Sequence, residues 1–418
     1  MKIMFFHIPS LGMYHATEPI LVELGRRGHQ VIHYNEAGFQ QYIENTHIRF
    51  TPYRSYQGYF PSALRNTMNL YELGLLLLET AEHMMGFVEG EVLGESPDLI
   101  LHSKFMAAPK AVARKHGIPA ACLTNGTVFH PRTLRDGRLE RSAPDMSSVS
   151  SLLRFRRRAR SFYGAYMKDN VDLDDIFVND EALNLVLALE VFQPGRGSLP
   201  AHCRFVGPTA RIDQYSKSYD LIYASLGSQF VDNPSFLETC IQAFGTLGRR
   251  AVISVSERFS PRDFDNVPDN VELCHLWRNG EHGRLWDFDN VPDNVEMCRV
   301  VRQKQVLQRA SVFVTHGGDN SVAEAIYCET PMVVIPQILE QSLRARQIER
   351  LMLGRHIDPA ELTVAALRSA VEDLLDNHVF RRNVQAMKDS LPRVPSALTA
   401  CDEIEKFASR GSKGGGLT

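Results

Sequence analysis

The sequence predicts an α/β protein built from two doubly wound, parallel-sheet domains. Three observations lead there. Short apolar strands alternate with helical stretches in the first half of the chain. The same alternation restarts near Asp220. The 418 residues exceed what one core organises, at roughly 100 to 200 residues per domain. Strands that alternate with helices pair in parallel, because each crossover helix carries the chain back to the same end of the sheet.

The elements follow in order. Residues 3–8 read as a first strand: the run is apolar but short, and the turn and helix after it leave no room for a signal peptide. Residues 19–27 read as a helix stopped by Gly28, and 31–34 as the second strand. A strand at 98–102, a helix at 107–116 and a strand at 120–124 repeat the unit. Between these lie an aromatic, turn-rich stretch at 53–65 and a polar one at 131–151. The basic run 154–160 reads as a solvated helix face. Asp172, Asp174 and Asp175 precede a helical stretch, where acids complement the positive helix end, and are read as that and not as metal ligands.

Residues 192–219, dotted with Gly and Pro, read as the interdomain linker. Strands at 220–225, 251–255, 312–315 and 332–335 make the second series. The boundaries are therefore an N-terminal Rossmann-like domain over 1–208 and a C-terminal one over 209–394. A helix covers 395–410, and a disordered tail covers 411–418. The decapeptide 263–272 recurs identically at 287–296. Two copies make a local duplication, not a solenoid; the stretch between them, carrying Trp277, Trp286, His275 and His282, reads as a surface insertion, with a binding loop as the alternative.

Composition narrows the function. A net charge of −3 gives no global attraction to nucleic acid or to an anionic membrane. The seven cysteines form no CxxC pair and no zinc-spaced set with histidine, which suits reduced thiols in the cytoplasm. The apolar run 73–78 is far short of the ~20 residues that span a bilayer, so no membrane insertion is expected.

The chemistry concentrates after the strand at 312–315. His316, Gly317, Gly318, Asp319, Asn320 and Ser321 form a glycine turn that opens a helix. Glycines let the backbone approach a ligand, and the first N–H groups and dipole of the helix favour an anion there. His316, Asn320 and Ser321 add side-chain donors, which suits a diphosphate. Gly227 and Ser228 offer a second turn at another strand end. Glu324 is placed for ribose hydroxyls, and Glu340 and Gln341, after a further strand, for sugar hydroxyls. Ligands of open α/β sheets sit where strand carboxyl ends converge.

These stretches carry a resemblance. Residues 225–228, Pro292-Asp293-Asn294-Val295, Gln303, 316–321, Glu324-Ala325, Pro331, Pro336 and Glu340-Gln341 resemble the family 1 nucleotide-sugar-dependent glycosyltransferases of macrolides, flavonoids and other secondary metabolites. Phe6 to Pro9, Gly12 and 27–29 match more loosely. The resemblance implies the two-Rossmann GT-B fold, with the helix over 395–410 crossing back to the first domain, and an inverting, metal-independent transfer needing no cofactor. The implied donor is a UDP- or dTDP-sugar, and the acceptor a small apolar or aromatic molecule lying near 53–78, with the protein a monomer or homodimer. It implies that His316 and Ser228, with Asn320 and Ser321, contact the diphosphate. Gln303 then lies by the base, Glu324 holds ribose, and Glu340 and Gln341 hold the sugar. Arg302 stands where the family has proline.

The family's catalytic base is a histidine oriented by an aspartate. Here Met13 and Ser103 occupy those places. His15, two residues on, is the candidate displaced base. The alternatives are an acceptor that needs little base, or an auxiliary protein that binds a nucleotide sugar without turning it over.

Overall fold

The computed structural model describes residues 1–43, 48–53, 70–128, 149–167, 171–210, 216–227, 233–255, 268, 270–275, 303–392 and 394–411. The chain divides into two compact units. One is Met1–Thr209 together with Val394–Thr418, and the other is Ala210–Arg393.

The first unit holds a seven-stranded parallel sheet in the order β3-β2-β1-β4-β5-β6-β7. Its strands are β1 (Lys2–Phe6), β2 (Gln30–Asn35), β3 (Arg49–Pro52), β4 (Leu99–Ser103), β5 (Ala120–Thr124), β6 (Asn184–Val186) and β7 (Cys203–Phe205). The central strands are apolar and buried on both faces, as parallel strands covered by crossover helices must be. Helices α1 (Leu11–Arg26), α2 (Gln40–Ile43), α3 (Leu70–Glu95), α4 (Ala107–His116) and α5 (Val149–Tyr166) belong to this unit.

Two apolar clusters flank the sheet. Met4, Phe6, Ile100, Leu77, Val88, Ala111 and Phe162 lie on one side; Ile3, Phe5, Leu99, Leu123, Ile20 and Leu24 lie on the other. On α5 the basic run is solvated: Phe155 and Ala159 are buried while the arginines at 154, 156, 157, 158 and 160 are exposed. Asp172 caps a 3-10 turn at Leu173–Phe177, its side chain accepting from the Asp174 N–H at 3.1 Å.

The second unit holds a six-stranded parallel sheet in the order β10-β9-β8-β11-β12-β13. The strands are β8 (Leu221–Ser225), β9 (Arg250–Val255), β10 (Val271–His275), β11 (Ala310–Thr315), β12 (Met332–Val334) and β13 (Gly354–His356). The helices are α6 (Pro234–Gly245), α7 (Gln303–Leu307), α8 (Asp319–Tyr327), α9 (Leu339–Arg350), α10 (Val364–Asp376) and α11 (His378–Asp389). Helix α12 (Ser396–Gly411) packs on α1 in the first unit.

The structure corrects several expectations. The first helix starts at Leu11 and runs through Pro19. Proline removes one backbone bond there, but Met13, Tyr14, Ala16, Thr17, Ile20, Leu21 and Leu24 form a continuous buried stripe that holds the helix together. The stretch expected to be a linker carries β7, the edge strand of the first sheet; its Gly and Pro punctuate 3-10 turns, not a free tether. The stretch between the copies, expected to be a surface insertion, begins inside a strand: its described residues 273–275 belong to β10. Val271 opens β10, pairs with Ala251 and is 1% exposed. Asn270 and Val271 of the first copy thus lead into the strand beside β9. The second copy, Trp277, Trp286 and His282, most of the expected acceptor region, and 412–418 of the expected tail lie outside the described residues.

Candidate active site

The second unit's site is built at the carboxyl ends of β8, β11 and β12. After β11 the chain turns through Gly317, whose φ of +82° suits a residue without Cβ. Gly318 is the N-cap of α8, and the first helical bond runs from Val322 N–H to Gly318 O at 2.9 Å. The amides before it sit at the positive end of the helix.

His316 joins two of the loops. A Cβ on Gly227, in the turn after β8, would lie 2.5 Å from His316 Cε1, and one on Gly318 would lie 2.5 Å from His316 Nε2. The imidazole thus fills space that only glycine leaves on both sides. A Cβ on Gly317 would lie 2.7 Å from Val334 Cγ1 and 3.8 Å from Gln341 O, so the turn also rests on β12 and α9. The structure therefore brings together Gly227, His316, Gly317, Gly318 and Gln341. Ser228 lies outside the described residues.

Burial, with a smaller push from the Arg344 charge, lowers the His316 pKa to about 4, against an opposing backbone bond at Ser225. The ring is neutral near pH 7 and can donate one N–H to an anion.

A second cluster lies alongside. Gln303, at the start of α7, donates to Glu324 Oε2 at 2.8 Å and to Ser321 Oγ at 3.3 Å. Its carbonyl oxygen accepts from Tyr223 OH at 3.5 Å. Burial raises the Glu324 pKa, and the Gln303 bond opposes that rise. Gln303, Ser321 and Glu324 are thus one network. Asn320 sits in the first turn of α8.

Gln341 is buried, and its carbonyl oxygen accepts from Gln337 N–H at 2.7 Å. That bond leaves its amide N–H groups for a ligand. Glu340 faces Arg344, with Nη2 at 3.4 Å from Oε1.

Sequence reasoning missed Arg344. Its guanidinium is buried and donates to Gly317 O and to Asp319 Oδ1, both at 2.5 Å. An acid at position 319 is an odd neighbour for a bound anion, and Arg344 supplies the neutralising charge. The signal was present: an acidic residue in an anion-binding turn calls for a cation close by.

In the first unit, Met13 is buried in the core on α1, and Ser103 is buried at the end of β4, its Oγ accepting from Ile8 N–H at 3.2 Å. His15 is exposed on α1, its ring 5.5 Å from that of Tyr14. At 100° per residue it stands about 200° around the helix from Met13. His7 is fully buried, with Nδ1 2.9 Å from Asn35 Nδ2 and Nε2 3.3 Å from Thr17 Oγ1. His102 is buried in β4, 3.2 Å from Glu181 Oε1.

No described helix is long and apolar enough to cross a membrane. Residues 280–405 match the family model for the erythromycin biosynthesis protein CIII-like C-terminal domain. The chain is 27% identical to the NDP-glycosyltransferase YjiC of Bacillus licheniformis, over 97% of both chains. Its fold is similar to the glycotransferase of kitacinnamycin, with a TM-score of 0.78 at 23% identity over 97% of this chain and 98% of that one. It is also similar to the glycosyltransferase VinC, solved in complex with dTDP, with a TM-score of 0.70 at 17% identity over 98% of this chain and 100% of that one. With the glycine turn, the His316 contacts and the two parallel sheets, these likenesses support a nucleotide-sugar-dependent glycosyltransferase of the natural-product type, similar to the macrolide-type GT-B enzymes of family 1.

Proposed function

We propose that the protein transfers a sugar from a UDP- or dTDP-sugar to a small apolar or aromatic acceptor, with inversion and without a metal ion or other cofactor. The observation that carries this reading is the packing of His316 between Gly227 and Gly318 at the start of α8. A diphosphate resting there meets the helix end and a neutral imidazole donor. The acceptor oxygen attacks the anomeric carbon as the sugar–phosphate bond breaks, and the negative charge growing on the leaving diphosphate is met by groups already in place. Asn320, Ser321 and Ser228 complete the phosphate contacts. Gln303 lies by the base, Glu324 holds ribose, and Glu340 with the Gln341 amide holds the sugar.

The acceptor proton goes to His15 in this reading. His7 and His33 are fully buried in the same unit, whereas His15 is exposed. A monomer or homodimer in the cytoplasm is the proposed setting.

One assay tests these points together. UDP- and dTDP-sugars are offered with a pooled acceptor library, products are read by mass spectrometry, and the anomeric configuration by NMR. A glycosylated product of inverted configuration, formed in the presence of EDTA and lost in His15→Ala, is expected. Product retained in His15→Ala removes that residue from the role. The buried Met13 and the hydrogen-bonded Ser103 favour a second reading, a protein that binds a nucleotide sugar without turning it over. It predicts donor binding without product from any acceptor, and a gain of transfer in a Met13→His, Ser103→Asp variant.

A further inference from the structure

Away from the donor loops, the first unit holds a group of metal-ligating side chains at the amino ends of β6 and β7. Asp180 precedes β6; His202 and Cys203 lead into β7, the sheet's edge strand. One ligand atom from each lies within 4.8 Å of the others. His202 Nε2 is 2.9 Å from Asp180 Oδ1 and 3.1 Å from Oδ2. Tetrahedral zinc binds N and O at about 2.0–2.2 Å and S at about 2.3 Å, which sets ligand atoms roughly 3.3–3.8 Å apart. We propose that Asp180, His202 and Cys203 form a site for zinc, with water as the fourth ligand.

The support around the ligands favours a site over a chance meeting. The Asp180 backbone is clamped on both sides: its N–H donates to Asp175 Oδ1 at 2.9 Å, and its carbonyl accepts from Lys110 Nζ at 2.6 Å. Lys110 and Asp175 are themselves a buried ion pair at 2.7 Å. Asn184 Nδ2 donates to Asp180 Oδ1 at 2.6 Å and lies 3.9 Å from Cys203 Sγ. The His202 carbonyl accepts from Asn184 N–H at 2.9 Å and the Cys203 N–H donates to Pro200 O at 3.0 Å, so the backbone of the second and third ligands is fixed too. Such outer contacts orient ligands and typically change metal affinity by about 10- to 100-fold when removed. An Asp–His hydrogen bond alone would account for the first two residues but not for a free thiol within reach of both.

The ligand set decides the metal. One carboxylate, one imidazole and one thiolate suit zinc or cobalt(II) and disfavour magnesium and calcium, which take oxygen ligands. Binding releases the Cys203 proton to solvent, and His202 binds through Nε2 with its proton on Nδ1. His202 and Asp180 are partly exposed, at 37% and 29% of their side chains, which leaves room for a water ligand. The metal would join the edge strand to the loop before β6. It belongs to the first unit, takes no part in sugar transfer, and is consistent with a transfer that survives EDTA.

The test is a cobalt(II) titration of the full-length protein, followed by zinc. The expected result is one equivalent bound, with tetrahedral ligand-field bands and a sulfur-to-cobalt charge-transfer band, both abolished by zinc. Cys203→Ser should lose the charge-transfer band, and His202→Ala should weaken cobalt affinity at least about tenfold. Circular dichroism checks that both variants fold, and Asp180→Asn offers a milder change if one does not. Zinc should also raise the melting temperature of the wild type and not that of His202→Ala. No charge-transfer band, a band that persists in Cys203→Ser, or equal zinc stabilisation of wild type and His202→Ala overturns the proposal.

Discussion

The His316 imidazole is neutral near pH 7, and that follows from where its ring lies. Burial holds its pKa near 4, so in the proposed reading the diphosphate meets an N–H donor that carries no charge of its own before binding. Donors aimed at developing charge are worth about 10² to 10³ in rate. His316→Ala should therefore lower kcat for transfer by a factor of that order while the protein stays folded, which steady-state kinetics and circular dichroism check. Gly227→Ala should act through the same ring. Its Cβ would sit 2.5 Å from Cε1 at a φ of +70°, so donor KM should rise although no ligand contact is removed. In the other unit two buried imidazoles set the response to pH. Burial depresses His7 to about 3, and burial with the neighbouring His7 depresses His33 well below its ordinary value. The unfolded chain titrates these residues near 6.5 and binds more protons than the folded one below that. Stability is thus fully present above pH 6.5 and falls as pH drops toward the folded values, by up to ~1.4 kcal/mol per pH unit and group. Urea unfolding at pH 7.5 and 5.5 measures the loss. His33 also has both ring nitrogens buried without a hydrogen-bond partner among the described residues, stacked near Phe5 and Tyr14. His33→Phe should raise the unfolding midpoint and flatten the pH response.

At the scale of elements, strand, glycine turn and helix around 312–327 were legible because each part has a local signature: an apolar β-branched run, two glycines, and an apolar stripe at helical spacing. The acid at 319 called for a cation, but the sequence did not identify it as Arg344, which reaches Asp319 from another helix, 25 residues away in sequence. Helix α9 thus does more than place Glu340 and Gln341. It brings a cation under the turn, holding the Gly317 carbonyl and cancelling the Asp319 charge beside the proposed anion site. Arg344→Ala should weaken UDP binding by roughly one to two orders of magnitude, because like charge near a bound anion costs about 1 to 3 kcal/mol at partly buried sites. Uridine, which has no phosphate, should bind nearly as before. Asp319→Asn in the Arg344→Ala background should recover part of the loss, and calorimetry across the four proteins isolates the coupling. Equal losses for UDP and uridine would show that Arg344 supports the pocket as a whole and not its charge. The base region is the reverse case. Sequence reasoning found Met13 and Ser103 in place of the family's pair, and the structure adds that one is core and the other bonds Ile8 N–H.

For the whole molecule, the two-sheet plan was readable because apolar strands and amphipathic helices alternate twice. The strands that escaped are short: β3, β6, β7 and β13 have three or four residues each, too few for a period-two pattern to stand out. The duplication escaped for a different reason. Its two copies are identical in sequence, so composition cannot say which one takes the place beside β9. The final helix shows how the linear order of the chain departs from its packing. Ala400, Cys401, Ile404 and Ala408 of α12 are buried against Ile20, Leu21 and Leu24 of α1. Arg27 bonds Asp402 and Glu405 at 2.7 Å, and His29 bonds Glu405 at 2.8 Å. The last helix therefore stabilises the unit that contains the first residues, whereas the proposed donor loops belong to the other unit. Ending the chain after residue 393 should uncover this apolar face of α1 and lower the melting temperature of the first unit, because each buried Ile- or Leu-sized side chain contributes about 1.5 to 3 kcal/mol. UDP binding should persist, because the glycine turn, α8 and Arg344 all lie before the cut. Differential scanning calorimetry with and without UDP separates the two effects: the ligand should shift only the transition of the donor-binding unit. Loss of UDP binding on truncation would mean that donor affinity depends on the first unit's integrity, and His316 with its glycine neighbours would then not suffice to hold the diphosphate.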